Sequence, residues 1–240
     1  MEYVLVLAVG LIAGTLGGVV GFGSSIMLMP VLMFTFGPRE AVPIMAIASV
    51  MANLSRVLAW WRDIDWRAVG AYSVTAVPGA ALGAHTLLVL PPRIVELALG
   101  VFFIGVIVGR RLLASRGVRV TRTHLALVGA FVGFLTGIVV STGPITVPIF
   151  LAYGLVKGAF IATEAAGSLA VYLTKAIVFR TFGALPADIV VQGLIIGASL
   201  MVGAFVAKRF VISLPPERFR LLMDAVLLLS GVALLWIALR

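Results

Sequence analysis

Apolar residues fill this chain in runs of roughly 20, separated by short polar or basic connections, and runs of that length predict membrane-spanning helices. The runs cover residues 3–20, a short 26–36, 41–61, 68–90 and 94–109, then 125–140, a short 145–153, 159–179, 189–207 and 219–239. A basic stretch at 110–124 separates the two sets. The predicted fold is an all-α polytopic membrane protein. It has two repeats of five hydrophobic segments each, one short half-helix per repeat, over residues 1–109 and 125–240 with the linker 110–124 between them.

The halves match in residues as well as in lengths. Gly10, Gly14 and Gly18 align with Gly129, Gly133 and Gly137 at a constant offset (129 − 10 = 119). The same offset brings Ser49 onto Ser168, Ser55 onto Thr174 and Arg56 onto Lys175, and Pro30 falls one residue from Pro148. Leu90-Pro91-Pro92 recurs as Leu214-Pro215-Pro216 ahead of each last segment. Counted with the short segment, five crossings per repeat is an odd number, so the second repeat enters the membrane inverted relative to the first; counting each short segment as part of its predecessor gives four crossings per repeat and a weaker charge bias. Inverted repeats are typical of secondary transporters, with the site near the midplane where they meet.

Composition sharpens this picture. Of 240 residues, 62% are apolar and 11% charged, against about 45–50% and about 25% in soluble domains. A soluble core is excluded. The formal charge of +9 sits in short connections rather than on a groove, so it reads as topology and not as nucleic-acid binding. If all ten segments cross, one side holds Arg62, Arg67, Arg110, Arg111, Arg116, Arg119, Arg122, Lys157, Lys208, Arg209, Arg218 and Arg220, against Arg39, Arg93, Arg180 and Arg240 on the other. By the positive-inside rule the linker 110–124 is cytoplasmic and both termini lie outside. The first run lacks a basic leader and reads as the first membrane segment, not a cleaved signal. Cysteine is absent, which removes disulfides and thiolate metal sites from consideration.

Two elements carry candidate chemistry. The first is a break in each half, Gly21-Phe22-Gly23-Ser24-Ser25 and Ser141-Thr142-Gly143-Pro144, followed by a half-length helix. An 11-residue helix covers roughly 16 Å, about half the hydrocarbon core, and irregular backbone at that depth needs protein or a water-filled cavity around it. Ser24, Ser25, Ser141 and Thr142 are expected to cap the new helices, with Pro144 in a first turn. The exposed N–H groups and positive dipole end make an anion site. The competing reading is that the glycines serve close helix packing, which Gly10, Gly14 and Gly18 suit.

The second element is a polar stripe on the third segment of each half. Ser49, Asn53 and Arg56 share one helical face, as do Glu164, Ser168, Tyr172 and Lys175. Ionisable residues at depth face a cavity or a partner, so a cation from each half would favour an anion between the repeats. Snorkelling of Arg56 and Lys175 to headgroups is the alternative. Glu164 has no acidic counterpart in the first half, where Met45 stands in its place. It is either a solvated residue near a helix start or a protonatable group that couples transport to protons. Glu96 and Asp224 lie near helix ends, Asp63 and Asp65 form a loop cluster beside Arg62 and Arg67, and His85 and His124 are isolated. No metal-ligand or nucleophile–base spacing emerges, so no metal, cofactor or catalytic residue is expected. Trp60, Trp61, Trp66 and Trp236 suit an aromatic belt.

These features resemble the sulfite exporter TauE/SafE family, also called the TSUP transporters, in the Gly-rich openings from Gly14 to Pro30 and Gly133 to Pro148 and in the two-repeat layout of the whole chain. The interrupted glycine runs depart from the consecutive glycines common in that family. The resemblance implies export or uptake of sulfite, sulfonates or related organosulfur anions. The expected substrate-binding set is Gly21, Gly23, Ser24, Ser25, Ser49, Asn53, Arg56, Ser141, Thr142, Gly143, Ser168, Tyr172 and Lys175. The expected partners are a small anion, the lipid bilayer and, through Glu164, protons. An anion channel and a non-transporting scaffold or assembly factor are the alternative readings.

Overall fold

The computed structural model describes residues 2–20, 23–91, 94, 97, 101, 120–139, 142–155 and 157–210. The described residues form helices α1 (Glu2–Val20), α2 (Ser24–Ala59), α3 (Trp66–Val89), α4 (Arg122–Ile138), α5 (Gly143–Ala152), α6 (Lys157–Thr181) and α7 (Ala187–Phe210), a 3-10 turn at Trp61–Asp63, and no strand. Among them Arg39–Ala59, Trp66–Val89, Gly158–Thr181 and Ala187–Ala207 are long and apolar enough to cross a membrane. Most of the expected segment 94–109 and of the linker 110–124, the whole of 219–239, and the second Leu-Pro-Pro lie outside the described residues.

Local sequence accounts for the helix limits. The Asp65 carboxylate accepts from the backbone N–H of Arg67 and Ala68, so it is the N-cap of α3 and not merely part of a solvated cluster. Thr121 and His124 make a reciprocal capping box that starts α4 at Arg122, three residues before the apolar run begins. The first half-helix and the third segment are two arms of α2, which bends at Gly37 (φ 75°, ψ 166°). In the second half the equivalent pieces are separate, with Gly154 (φ 107°) between α5 and α6.

The helices pair across the halves. α1 lies against α7, and α4 lies against α3. Both contacts run along glycine. A Cβ on Gly14 or Gly18 would strike the backbone of Leu200 or Ala204, and one on Gly133 would sit 2.7 Å from Ala76 C and Cα. Gly79 and Gly83 leave the same lack of space against Ala130 and Phe134. For these glycines the close-packing reading holds. In lipid no hydrophobic force distinguishes a neighbouring helix from acyl chains, so close backbone approach has to supply the attraction. Thr75 adds a hydroxyl bond to the Ala126 carbonyl across the α3–α4 seam.

Large apolar side chains cover the outside, among them Leu5, Phe34, Val74, Leu82, Leu127 and Ile177. The buried set includes Ser24, Ser25, Ser49, Asn53, Arg56, Thr136, Thr142, Thr146, Glu164 and Lys175. Apolar outside and polar inside is the arrangement of a bundle solvated by lipid around a polar centre.

Candidate functional site

The two short helices start at the same kind of break. Ahead of α2, Gly23 adopts a left-handed conformation (φ 103°) and takes the N-cap position; only glycine does this without steric cost. Ser24 and Ser25 therefore fall in the first turn, and no side chain caps the helix, which corrects the expected capping role of the two serines. The turn instead directs Ser25 Oγ inward, 3.4 Å from Ser49 Oγ. Thr142 does occupy the N-cap of α5, with a proline in the first turn. Its hydroxyl bonds to that of Thr136 rather than to the helix. Each start thus keeps its polar N-terminal end directed at the interior, the feature that favours negative charge there.

The two stripes face one another across this space. Ser49, Asn53 and Arg56 project from α2, and Glu164, Ser168 and Tyr172 from α6, onto a cavity of about 20 Å³ that Gly23, Ser24, Ser25, Thr142 and Gly143 also line. Tyr172 hydrogen-bonds with Ser25 and Ser49. A cavity of that volume admits about one water, too little for an anion of several heavy atoms.

Neither cation snorkels. Arg56 is 8% exposed, Glu164 3% and Lys175 1%. Arg56 Nη1 donates to Glu164 Oε2 at 3.1 Å, and Nη2 donates to Asn53 Oδ1. Glu164 Oε1 accepts from Ser168 Oγ at 2.8 Å and from Thr146 Oγ1 at 3.3 Å. The reading of Glu164 as a solvated end residue is overturned. Two turns into α6, it is covered by α2 and α5, and its burial is tolerated because both oxygens carry charge-assisted or hydroxyl bonds.

Lys175 departs from the expected set. Its ammonium donates to the carbonyls of Thr136 at 2.9 Å and Val139 at 3.0 Å, and sits 5.5 Å from the Phe179 ring centroid. Those carbonyls end α4, so Lys175 holds the negative dipole end at the break; it does not line the cavity. Gly21 and Ser141 lie outside the described residues. The other expected residues, Gly23, Ser24, Ser25, Ser49, Asn53, Arg56, Thr142, Gly143, Glu164, Ser168 and Tyr172, come together.

Two residues of this network were not read from the sequence. Thr136 bonds Thr142 and presents its carbonyl to Lys175, and Thr146 donates to Glu164. At the repeat offset they fall on Gly17 (136 − 119) and Met27 (146 − 119), so comparing the halves does not single them out. Their signal was simpler: Thr136 is the one hydroxyl in the apolar run 125–140, and Thr146 the one in α5.

Among known proteins, the family profile described as "Sulfite exporter TauE/SafE" matches residues 6–234 of this chain. The chain is 23% identical over 142 residues to "Probable membrane transporter protein YunE" of Bacillus subtilis (strain 168), taking in 55% of this chain and 52% of YunE. It is 22% identical over 257 residues to "Probable membrane transporter protein YjnA" of the same organism, taking in 97% of this chain and 99% of YjnA. No solved structure is matched.

Proposed function

From the premise that this chain belongs to the sulfite exporter TauE/SafE family of membrane transporters, we propose that it is a secondary transporter. It carries a small sulfur-containing oxyanion, sulfite or a sulfonate, across the cytoplasmic membrane by alternating access. The supporting observation is the buried cluster in which two broken-helix starts, Ser25, Ser49, Asn53, Thr142 and the Arg56 guanidinium converge in an otherwise apolar bundle. Hydroxyl and amide donors at two helix N-termini match the several acceptor oxygens of a pyramidal or tetrahedral anion. Arg56 adds the planar fork that such oxygens engage in pairs.

The two-repeat reading gives the motion a basis. Gly23 and Arg56 come from residues 1–109, while Thr142 and Glu164 come from 125–240, so rocking one half against the other opens the cluster to either side. The linker 110–124 is cytoplasmic and both termini are outside in this reading.

A thermal-shift screen of the purified protein against sulfite, methanesulfonate, sulfate and acetate tests the site. Sulfur oxyanions should raise the midpoint in wild type and leave it unmoved in Arg56→Ala. Counterflow of a labelled anion in proteoliposomes should separate a carrier from a channel. Equal shifts in wild type and Arg56→Ala, or no shift with any anion, overturn the proposal.

A further inference from the structure

The cluster already holds an anion. Glu164 is a carboxylate standing among donors suited to an oxyanion, and it takes the Arg56 guanidinium at 3.1 Å across the two halves. With about 20 Å³ beside it, a substrate cannot add to this arrangement; it has to replace part of it. We infer that Glu164 is the resident anion of the empty site and its proton acceptor, so that each monovalent substrate anion binds together with one proton.

The reasoning is a charge count in a buried place. Before binding, the site contains one guanidinium and one carboxylate. An oxyanion that engages Arg56 lies within about 4–6 Å of that carboxylate, the range in which a like charge opposes ionisation. Two anions against one cation, without bulk water, are far less favourable than one of each. A proton from solvent on Glu164 Oε2 restores the balance: the O–H bond forms, the contact to Arg56 Nη1 breaks, and the guanidinium passes to the substrate. Oε1 keeps its bonds from Ser168 and Thr146, so the neutral carboxyl stays in place and presents its new O–H to the cavity.

The surroundings leave this role to Glu164. Facing it are Arg56 from α2, Thr146 from α5, Ser168 of its own helix, and the phenols of Tyr72 from α3 and Tyr172 from α6. Lys175 lies about three turns further along the same helix and is turned to the α4 carbonyls. Arg56 is therefore the charge that Glu164 answers, and a bound anion is what releases it.

This inference rests on the proposed anion site, and its test separates the two. The probe is methanesulfonate, which stays a monoanion from pH 5 to 9, added to the purified full chain in weakly buffered detergent with a pH-indicator dye. Wild type should take up close to one proton per anion bound at the alkaline end. Its Kd should rise about tenfold per pH unit there, the slope set by one linked proton. Glu164→Gln cannot ionise and leaves Arg56 without its partner, so it should bind at least as tightly, with a flat pH profile and no proton uptake. The wild-type measurements stand even if that variant fails to fold. Binding without proton uptake, a flat wild-type profile, or the wild-type slope retained in Glu164→Gln overturns the coupling alone. No methanesulfonate binding at any pH overturns the anion site and the coupling with it.

Discussion

Replacing Gly133 by alanine tests the glycine seam between α3 and α4, because the added methyl has nowhere to go. Its Cβ would lie 2.7 Å from both C and Cα of Ala76 and closer still to the Ala76 carbonyl oxygen. All three are backbone atoms of a helix and cannot rotate aside. Carbon atoms rest at about 3.5–4.0 Å, so the helices must part by about 1 Å, which forfeits a quarter to a half of the dispersion along the seam. Overpacking of this kind costs about 1–3 kcal/mol. The upper end applies here, because Gly129, Gly137, Gly79 and Gly83 share the same close approach. Alanine regains about 1 kcal/mol of helix propensity, leaving a net loss of about 2 kcal/mol. Gly70 is the internal control. It lies in α3 with nothing within 4 Å of a built Cβ, so Gly70→Ala should gain about 0.5–1 kcal/mol. The two variants thus change the same residue type in opposite directions. Tryptophan-fluorescence melts in detergent should place Gly133→Ala below wild type and Gly70→Ala at or above it. A Gly133→Ala midpoint equal to wild type would refute the argument that backbone contact closes this seam.

Arg56→Lys should weaken sulfonate binding at least tenfold in calorimetry, because a point ammonium cannot both hold Asn53 and engage oxyanion oxygens as the planar fork does; an unchanged Kd would remove Arg56 from the site. Lys175→Met should behave differently, lowering the melting midpoint by an amount equivalent to about 1–3 kcal/mol through the stranded Thr136 and Val139 carbonyls. Anion affinity in the protein that remains folded should change by less than the Arg56 variant's loss, and a stable Lys175→Met protein devoid of binding would return Lys175 to the substrate. For topology, Glu2→Cys and Arg240→Cys in this Cys-free chain should react with an impermeant thiol reagent in intact cells, and Arg116→Cys should not. The reverse labelling pattern would invert the orientation.

Among the described residues, the sequence by itself determined which stretches are apolar helices, where two of them break, and which side chains share a face. Each follows from local quantities: run length against bilayer thickness, the conformational freedom of Gly23, and the 3.6-residue period that aligns Ser49 with Asn53 and Arg56, and Glu164 with Ser168 and Tyr172. Periodicity says which residues look the same way, but not what they look at. Only the tertiary structure decided that Arg56 meets Glu164 from 108 positions away, while its repeat counterpart Lys175 turns to the end of α4. Sequence alignment makes the two cations equivalent, yet a carboxylate stands within reach of one and two helix-end carbonyls within reach of the other. A buried charge takes whichever partner packing brings to about 3 Å, and that distance is a property of the assembled helices rather than of any one of them.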